Sequence, residues 1–213
     1  MRRYAVLGLW LFLVACATTK PVPMSEPRRV VGTDNDVRID AEVVGDRLGP
    51  NVTLPLQYDI TNNRRTTILI ADLIPESTYD PETHMVTVSI GAEIPGEEFL
   101  PRLIPIRPGE RRSFKTAAHV TIVANTASPW VPRPNALRLK VNFLSDPEPF
   151  QKLISIPEKA VRDPQLAAQL FTKWVEGNET VFTNSLPMRW VTAFTDEAPD
   201  TTTTPGRRRR GGI

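Results

Sequence analysis

The chain has 213 residues, a formal net charge of +2 and a single cysteine. This length suits one domain of ordinary size, the near-neutral charge gives no reason to expect a nucleic-acid-binding surface, and one cysteine excludes an intramolecular disulfide. Twenty-one prolines, placed largely between apolar runs, favour a loop-rich β protein over a helical one.

The N-terminus has the three parts of an export signal. Arg2 and Arg3 supply positive charge, and residues 5–14 form an apolar run that, at about 15 Å as a helix, is too short to span a bilayer. The run ends in the letters LVAC, with the cysteine at position 16. This segment resembles the signal peptides of bacterial lipoproteins, and the resemblance implies that residues 1–15 are removed and that Cys16 is acylated.

The resemblance also implies a location. A lipidated Cys16 would anchor the protein in a membrane of the bacterial cell envelope. Ala17, rather than an aspartate, follows the cysteine, and in enterobacterial lipoproteins that pattern implies delivery to the outer membrane, facing the periplasm. An ordinary secretory signal, or a buried N-terminal helix with a chance cysteine, is the alternative.

Strands are expected after a short N-terminal linker. Residues 16–35 are rich in proline, threonine and charge, and they predict a flexible lipidated tether. Over residues 36–145 apolar side chains alternate with polar ones, which is typical of half-buried strands. Pro55 cannot donate to a ladder, so we expect its strand at a sheet edge or with a bulge. Residues 75–81 are expected to form a loop and residues 107–110 a turn. The strand candidates are residues 37–43, 52–60, 67–73, 85–90, 100–106, 114–123 and 137–144.

These strands indicate a fold class. Strands with one apolar face must bury it against another layer, so residues 36–145 predict a mainly β domain, an antiparallel β-sandwich. The strand count and the Pro-Gly-Glu turn at residues 108–110 resemble an immunoglobulin-like or fibronectin-like domain, although the paired cysteines of antibody domains are absent. A likeness of architecture implies no particular function.

The pattern changes over residues 146–194, which we expect to form a C-terminal extension. Asp163-Pro164 is typical of a helix start, so one amphipathic helix is expected over about residues 164–176. Its apolar stripe is expected to dock on the sandwich. The stripe consists of Leu166, Ala167, Leu170, Phe171 and Trp174. Two short strand candidates follow, residues 180–183 and 190–194.

The sequence shows no catalytic or metal-binding constellation. His84 and His119 each stand without a cysteine or a second histidine at metal-ligand spacing. The only cysteine belongs to the predicted anchor, and neither a nucleophile elbow nor a glycine-rich phosphate loop is present. We therefore predict a protein that is not an enzyme and that has no cofactor and no metal.

Two features remain as candidate contact sites. Trp130 lies in a proline-rich loop, where an exposed indole can stack on a sugar or anchor a partner, or can pack beneath the loop. The tail over residues 195–213 is predicted to be disordered, and its run of four arginines can bind anionic lipid, lipopolysaccharide phosphate or an acidic partner, or remain solvated. The run consists of Arg207, Arg208, Arg209 and Arg210.

These observations predict a membrane-anchored envelope lipoprotein that acts as a non-enzymatic binding or accessory/assembly subunit. Its expected partners are the lipid bilayer, through acylated Cys16, and another envelope protein, with no nucleic acid. One alternative is a carbohydrate- or peptidoglycan-binding module that uses Trp130. A further alternative is an enzyme whose site residues are too dispersed to recognise in one sequence.

Overall fold

The computed structural model describes residues 28–122 and 133–191, which form a mainly β structure with several sheets and two short helices. A turn of 3-10 helix at Glu148–Phe150 leads directly into α1 (Gln151–Ile154), and α2 is Pro164–Gly177. The strands of the described residues are β1 (Arg28–Asp34), β2 (Val37–Val43), β3 (Arg47–Leu48), β4 (Asn51–Asn62), β5 (Ile68–Ala71), β6 (Glu76–Asp80), β7 (Met85–Ile90), β8 (Phe99–Pro101), β9 (Leu103–Ile106), β10 (Arg111–Thr121), β11 (Ala136–Leu144), β12 (Ala160–Arg162), β13 (Asn178–Phe182), β14 (Leu186–Pro187) and β15 (Arg189–Trp190).

The first sheet is four-stranded and antiparallel, in the order β1-β2-β4-β10. Its strands show the predicted alternation: in β2, the residues Val37, Ile39, Ala41 and Val43 are all buried. Successive side chains of a strand point to opposite faces, so this alternation turns one apolar face inward. The opposite face carries charged side chains such as that of Arg38.

The second sheet has the order β6-β7-β11-β5-β9, and β13 and β14 also pair with β11. The pairing of β7 with β11 is parallel, so this sheet is mixed, whereas the sequence predicted only antiparallel pairs. A parallel pair needs a long crossover connection. Here the chain runs through β8, β9 and the first-sheet strand β10 before it returns as β11.

The two sheets share one hydrophobic core. Buried residues of the first sheet, including Ile39 and Ile60, belong to the same cluster as Val88, Leu139 and Val181 of the second. A smaller second core holds α1, α2 and β8 against one end of the second sheet. Its buried members are Leu69, Ala71, Leu100, Leu103, Leu144, Phe150, Leu153, Ala167, Leu170 and Trp174.

Both outer strands of the first sheet lie against the second sheet. Beside β1, the Val31 carbonyl accepts from the Asn184 amide at 2.9 Å, and the Val31 amide donates to Asn184 Oδ1 at 2.7 Å. Beside β10, the Ser77 hydroxyl of β6 donates to the His119 carbonyl at 2.9 Å. These bonds occupy backbone groups that an edge strand would otherwise expose.

Several strands lie where the sequence predicted none, and β1 and β6 are the longest of them. Residues 28–34, inside the predicted tether, form β1, and Val30 within it is fully buried. A Cβ added at Gly32 would lie 2.3 Å from the Phe182 carbonyl oxygen, so the glycine permits close approach of β1 to β13. Residues 76–80, predicted as part of a loop, form β6, whose polar sequence suits a strand at the edge of its sheet.

The predicted edge position of Pro55 is wrong, because β4 lies between β2 and β10. The Pro55 carbonyl accepts from the Val44 amide at 3.3 Å, just beyond the last residue of β2. The nitrogen and carbonyl of one strand residue point to the same side. The proline nitrogen therefore faces Val44, and its missing amide lies where the β2 ladder ends instead of interrupting the ladder.

The predicted helix is present as α2, and Asp163 caps it: Leu166 donates its amide to Asp163 Oδ1 at 2.9 Å, with proline at the first position. The predicted extension is not separate from the sheets, because β13 and β14 pair with β11. Among the described residues, no helix combines the length and apolar character needed to cross a membrane.

Candidate functional site

The predicted contact residues Cys16, Trp130 and Arg207–Arg210 lie outside the described residues. The same is true of the predicted signal segment and of the predicted tail over residues 195–213. The structure does describe the residues that flank these stretches. The flanking residues are Arg28, Ile122, Arg133 and Val191.

These flanking residues lie at one end of the sheets, which we call the flanking end. The Ile122 amide donates to the Pro50 carbonyl at 2.9 Å, and the Val191 amide donates to the Leu48 carbonyl at 2.7 Å, so both are held by one short segment. The guanidinium of Arg28 donates to the carbonyl of Pro187.

The fourth flanking residue, Arg133, lies at the same end. Pro187 pairs with Ala136 at the start of β11. Three residues earlier in the chain, the Arg133 carbonyl lies 3.3 Å from His84 Nδ1. All four flanking residues therefore lie at the same end of the described fold.

Helix α2 lies at the other end of β11. The last residues of β11, Phe143 and Leu144, pair with Glu179 and Asn178, directly after α2. The two ends of β11 are about 27 Å apart at the usual rise of a strand. The surface around α2 is thus well separated from the flanking end.

Large apolar side chains are exposed around α2. Phe171 and Val175 on α2 are 50% and 51% exposed, Phe99 on β8 is 57% exposed, and Ile94 on the segment before it is 63% exposed. We call these four residues the α2 surface. The other exposed large apolar residues in the described ranges are Val44, Leu73, Ile74 and Phe182.

The backbone geometry explains why these side chains point outward. Leu170 and Trp174 are buried in the second core, and Phe171 and Val175 each follow one of them by one residue, which is about 100° around a helix. Phe99 precedes buried Leu100 in a strand, so it points to the opposite face. The predicted docking stripe includes Phe171, and this assignment is wrong because Phe171 is half exposed.

Hydrogen bonds join the segments that carry the α2 surface. The indole Nε1 of Trp174 donates to the Ala92 carbonyl at 3.3 Å, two residues before Ile94. The Asp163 amide donates to the Glu98 carbonyl at 2.9 Å, immediately before Phe99. These bonds fix α2 relative to the segment that leads into β8.

Most carboxylates of the segments that carry the α2 surface form ion pairs. Residues 92–99 and 162–177 contain five carboxylates and two cations. Glu98 forms an ion pair with Arg162 at 2.9 Å, Glu176 pairs with Lys173 at 3.4 Å, and Glu93 pairs with Lys140. No ion pair in the described part of the chain includes Glu97. The five carboxylates are Glu93, Glu97, Glu98, Asp163 and Glu176.

The two histidines lie on different elements. His84 lies in the turn between β6 and β7, in the left-handed region with φ of 56°. His119 is exposed on β10, with Nδ1 3.1 Å from Thr53 Oγ1. Within residues 28–122 and 133–191, no three histidine, cysteine or acidic side chains are grouped closely enough to hold a metal ion.

A charged network covers the outer face of the first sheet. Asp40 pairs with Arg29 at 3.0 Å and Arg38 at 2.8 Å, and Asp59 accepts from Arg111 and Ser113. The hydrogen bond from Arg38 lowers the pKa of Asp40, and that from Arg111 lowers the pKa of Asp59. These carboxylates are held ionised by their partners, so the network is suited to stabilising the sheet rather than to transferring protons.

The function of this chain has to be argued from its own residues. No family model, curated protein or solved structure matches it.

Proposed function

We propose that this chain is a membrane-anchored lipoprotein of the bacterial envelope that acts as a non-enzymatic accessory or assembly subunit. The observation that carries the proposal is the separation of the flanking end from the α2 surface. Arg28 stands twelve positions after Cys16, which allows at most about 40 Å of extended chain between lipid and fold. Such an arrangement would hold the flanking end near the membrane and present the α2 surface to partners.

We further propose an immunoglobulin-like sandwich for the two main sheets. The shared core and the contacts of β1 and β10 with the second sheet support this assignment. The parallel pairing of β7 with β11 is a departure from a purely antiparallel sandwich. The location proposed for the protein, the periplasmic face of the outer membrane, rests on Ala17 and on the likeness to enterobacterial sorting signals.

The anchor is tested by the substitution Cys16→Ser, with Ala17→Ser as the matched control. Without the thiol no acyl chain can be attached, so we expect Cys16→Ser to abolish the acyl mass and to release the protein from the membrane fraction. Each buried methylene of a lipid chain contributes about 0.8 kcal/mol, so loss of two or three chains should release nearly all of it. Mass spectrometry and membrane fractionation make the measurement. Membrane retention with unchanged mass in Cys16→Ser would contradict the anchor.

The accessory role is tested by crosslinking in intact cells, followed by mass spectrometry of what co-purifies with the acylated protein. We expect one dominant protein in stoichiometric yield. Glycan fragments instead of a protein would favour the wall-binding alternative. Retention on isolated sacculi that is lost in Trp130→Ala would then identify Trp130 as the contact residue.

A further inference from the structure

We propose that an extended segment of a protein partner, with apolar and acidic residues in alternation, adds to the first sheet as a further strand beside β10. The site is the outer edge of β10 over residues 111–117, which we call the β10 edge. The inference rests on the proposed accessory role and deepens it, because it names a surface and the chemistry of the partner. Three properties carry it: free backbone groups, apolar side chains beside them, and a lysine without an ion pair.

The first property is the row of free backbone groups. At one end of the β4–β10 pair, the Asn62 amide donates to the Glu110 carbonyl at 3.0 Å. At the other end, the Ile122 amide donates to the Pro50 carbonyl at 2.9 Å. The even-numbered residues of β10 therefore bond to β4, and the backbone groups of the odd-numbered ones face away from it. Four of these outward residues have no backbone hydrogen bond on that side within the described ranges. They are Arg111, Ser113, Lys115 and Ala117.

Such a row of groups indicates the conformation of its occupant. An open strand edge binds an extended peptide through alternating main-chain donors and acceptors. The four outward residues span about 20 Å of strand. The Ser77 hydroxyl occupies only the next outward carbonyl, that of His119. The β10 edge therefore fits an added strand rather than a helix.

The second property is the segment that runs beside the β10 edge. Ser77 fixes the end of this segment at His119. Five positions earlier, Asp72 lies near Tyr58, because burial and then the charge of Asp72 raise the pKa of the Tyr58 hydroxyl. The Tyr58 ring stacks on that of Phe114, with centroids 5.0 Å apart. Residues 72–77 therefore run alongside residues 114–119 of β10.

This segment places apolar side chains beside the free backbone groups. Leu73 and Ile74 lie between the two contacts, and they are 43% and 66% exposed. Phe114 is itself only partly buried at the margin of the main core. One face of an added strand would cover these side chains, so that face of the occupant should be apolar.

The third property is the charge on the opposite face of the sheet. Lys115 is exposed at the middle of the β10 edge, and no ion pair in the described ranges includes it, whereas Arg111 pairs with Asp59. A carboxylate on the added strand opposite Lys115 is complementary. Antiparallel overlap of residues 111–117 of two copies would instead bring the two Lys115 side chains to diagonal positions, within reach of each other. The charge thus favours an acidic partner strand over a second copy.

The experiment places the photo-crosslinking residue benzoylphenylalanine at Ile74 of the full-length protein in intact cells. The matched control carries it at Phe182, an exposed apolar position on β13 of the second sheet. We expect one protein adduct at Ile74 that is absent at Phe182. Peptide mapping should place the crosslink in a partner segment with apolar residues at alternate positions and carboxylates between them.

A pair of variants at Lys115 tests the addition of a strand. The Lys115 amide faces away from β4, so Lys115→Pro removes a donor to the partner without removing a bond of the β4–β10 ladder. Lys115→Ala removes the same charge and keeps the amide, so it is the matched control. With benzoylphenylalanine kept at Ile74, Lys115→Pro should lower the adduct yield about tenfold below that of Lys115→Ala, because one hydrogen bond is lost and the ring obstructs the added strand. Circular dichroism of each variant checks that the fold is retained.

Equal yields in Lys115→Pro and Lys115→Ala, equal adducts at Ile74 and Phe182, or no adduct at Ile74 would overturn the proposal. An adduct only with lipid, a crosslink to a second copy of this chain, or a partner segment that is basic or has a helical spacing of apolar residues would do the same. Where Lys115→Pro does not fold, the mapping at Ile74 decides. A protein that co-purifies without a crosslink at Ile74 would remove the β10 edge and leave the accessory role in place, whereas the absence of any co-purifying protein would remove both.

Discussion

Asp40 shows how single residues stabilise the outer face of the first sheet. It lies on β2 among side chains that point to solvent, yet it is only 8% exposed because Arg29 and Arg38 cover and pair with it. Both arginines remain about half exposed. Ion pairs of this kind are screened by water and contribute modestly to stability.

Lowering the pH should remove the contribution of Asp40 to the stability of the fold. Its folded pKa is lowered, mainly by the Arg38 hydrogen bond, so the pairing stabilises the fold above the unfolded pKa of about 3.9 and is lost as pH falls through the folded pKa. We expect Asp40→Asn to lower the free energy of unfolding at pH 7 by up to about 1 kcal/mol. Because protonation removes the same charge from the parent, the difference should shrink below about pH 4.

Urea unfolding of the parent and of Asp40→Asn at pH 7 and pH 3 measures this effect. Glu42→Gln is the matched control, because Glu42 is exposed on the same strand and joins no ion pair in the described residues. A difference between Asp40→Asn and the parent that stays constant over this pH range would contradict the assignment.

Helix α2 has one buried side and one exposed side. Its buried residues close the second core, while Phe171 and Val175 remain in solvent. Trp174 combines both tasks of a core aromatic: it fills space against Phe150, and its indole nitrogen reaches the Ala92 carbonyl. Removal of a buried side chain of α2 should therefore lower the free energy of unfolding much more than removal of an exposed one.

We expect Trp174→Ala to lower the free energy of unfolding by about 3–5 kcal/mol, because it leaves a cavity in the second core. Phe171→Ala should change it by no more than about 0.5 kcal/mol, because Phe171 is half exposed. Urea denaturation followed by far-UV circular dichroism compares the two. A large loss of stability in Phe171→Ala would show that Phe171 has a packing role instead of a free surface.

At the scale of the whole molecule, the C-terminal elements complete the sheets. β13 and β14 pair with β11, the central strand of the second sheet, and β15 pairs with β3 beside the first. The segment after residue 145 also supplies five of the ten buried residues of the second core. Strands from both sides of the predicted boundary at residues 145–146 therefore pair in one sheet.

A chain that stops after residue 145 should fail to fold cooperatively, because β11 loses two partner strands and the second core loses its helices. A chain that stops after residue 191 is the control, because it keeps every described element and should unfold like the full-length protein. Thermal unfolding measured by circular dichroism decides between these outcomes. A sharp transition in the shorter chain would establish residues 36–145 as an independent domain.

The local sequence pattern was sufficient to predict features that depend on a single strand or helix. The alternation over residues 37–43 predicts which side chains of β2 are buried, and Asp163-Pro164 predicts where α2 begins. Both follow from short-range geometry: the two-residue period of a strand, and the need of the first helical amides for an acceptor.

Only the tertiary structure shows which segments pack beside each strand or helix. β1 pairs with β2 along its whole length, and Gly32 allows β13 to approach it. Pro55 is tolerated inside a sheet because the β2 ladder ends beside it. Phe171 and Trp174 belong to the same apolar pattern, yet only Trp174 is buried. The period of a helix orders its side chains around the axis, but the width of the buried stripe depends on distant segments that pack against it. The anchor at Cys16 is thus a prediction from sequence, whereas the α2 surface emerged only from long-range packing.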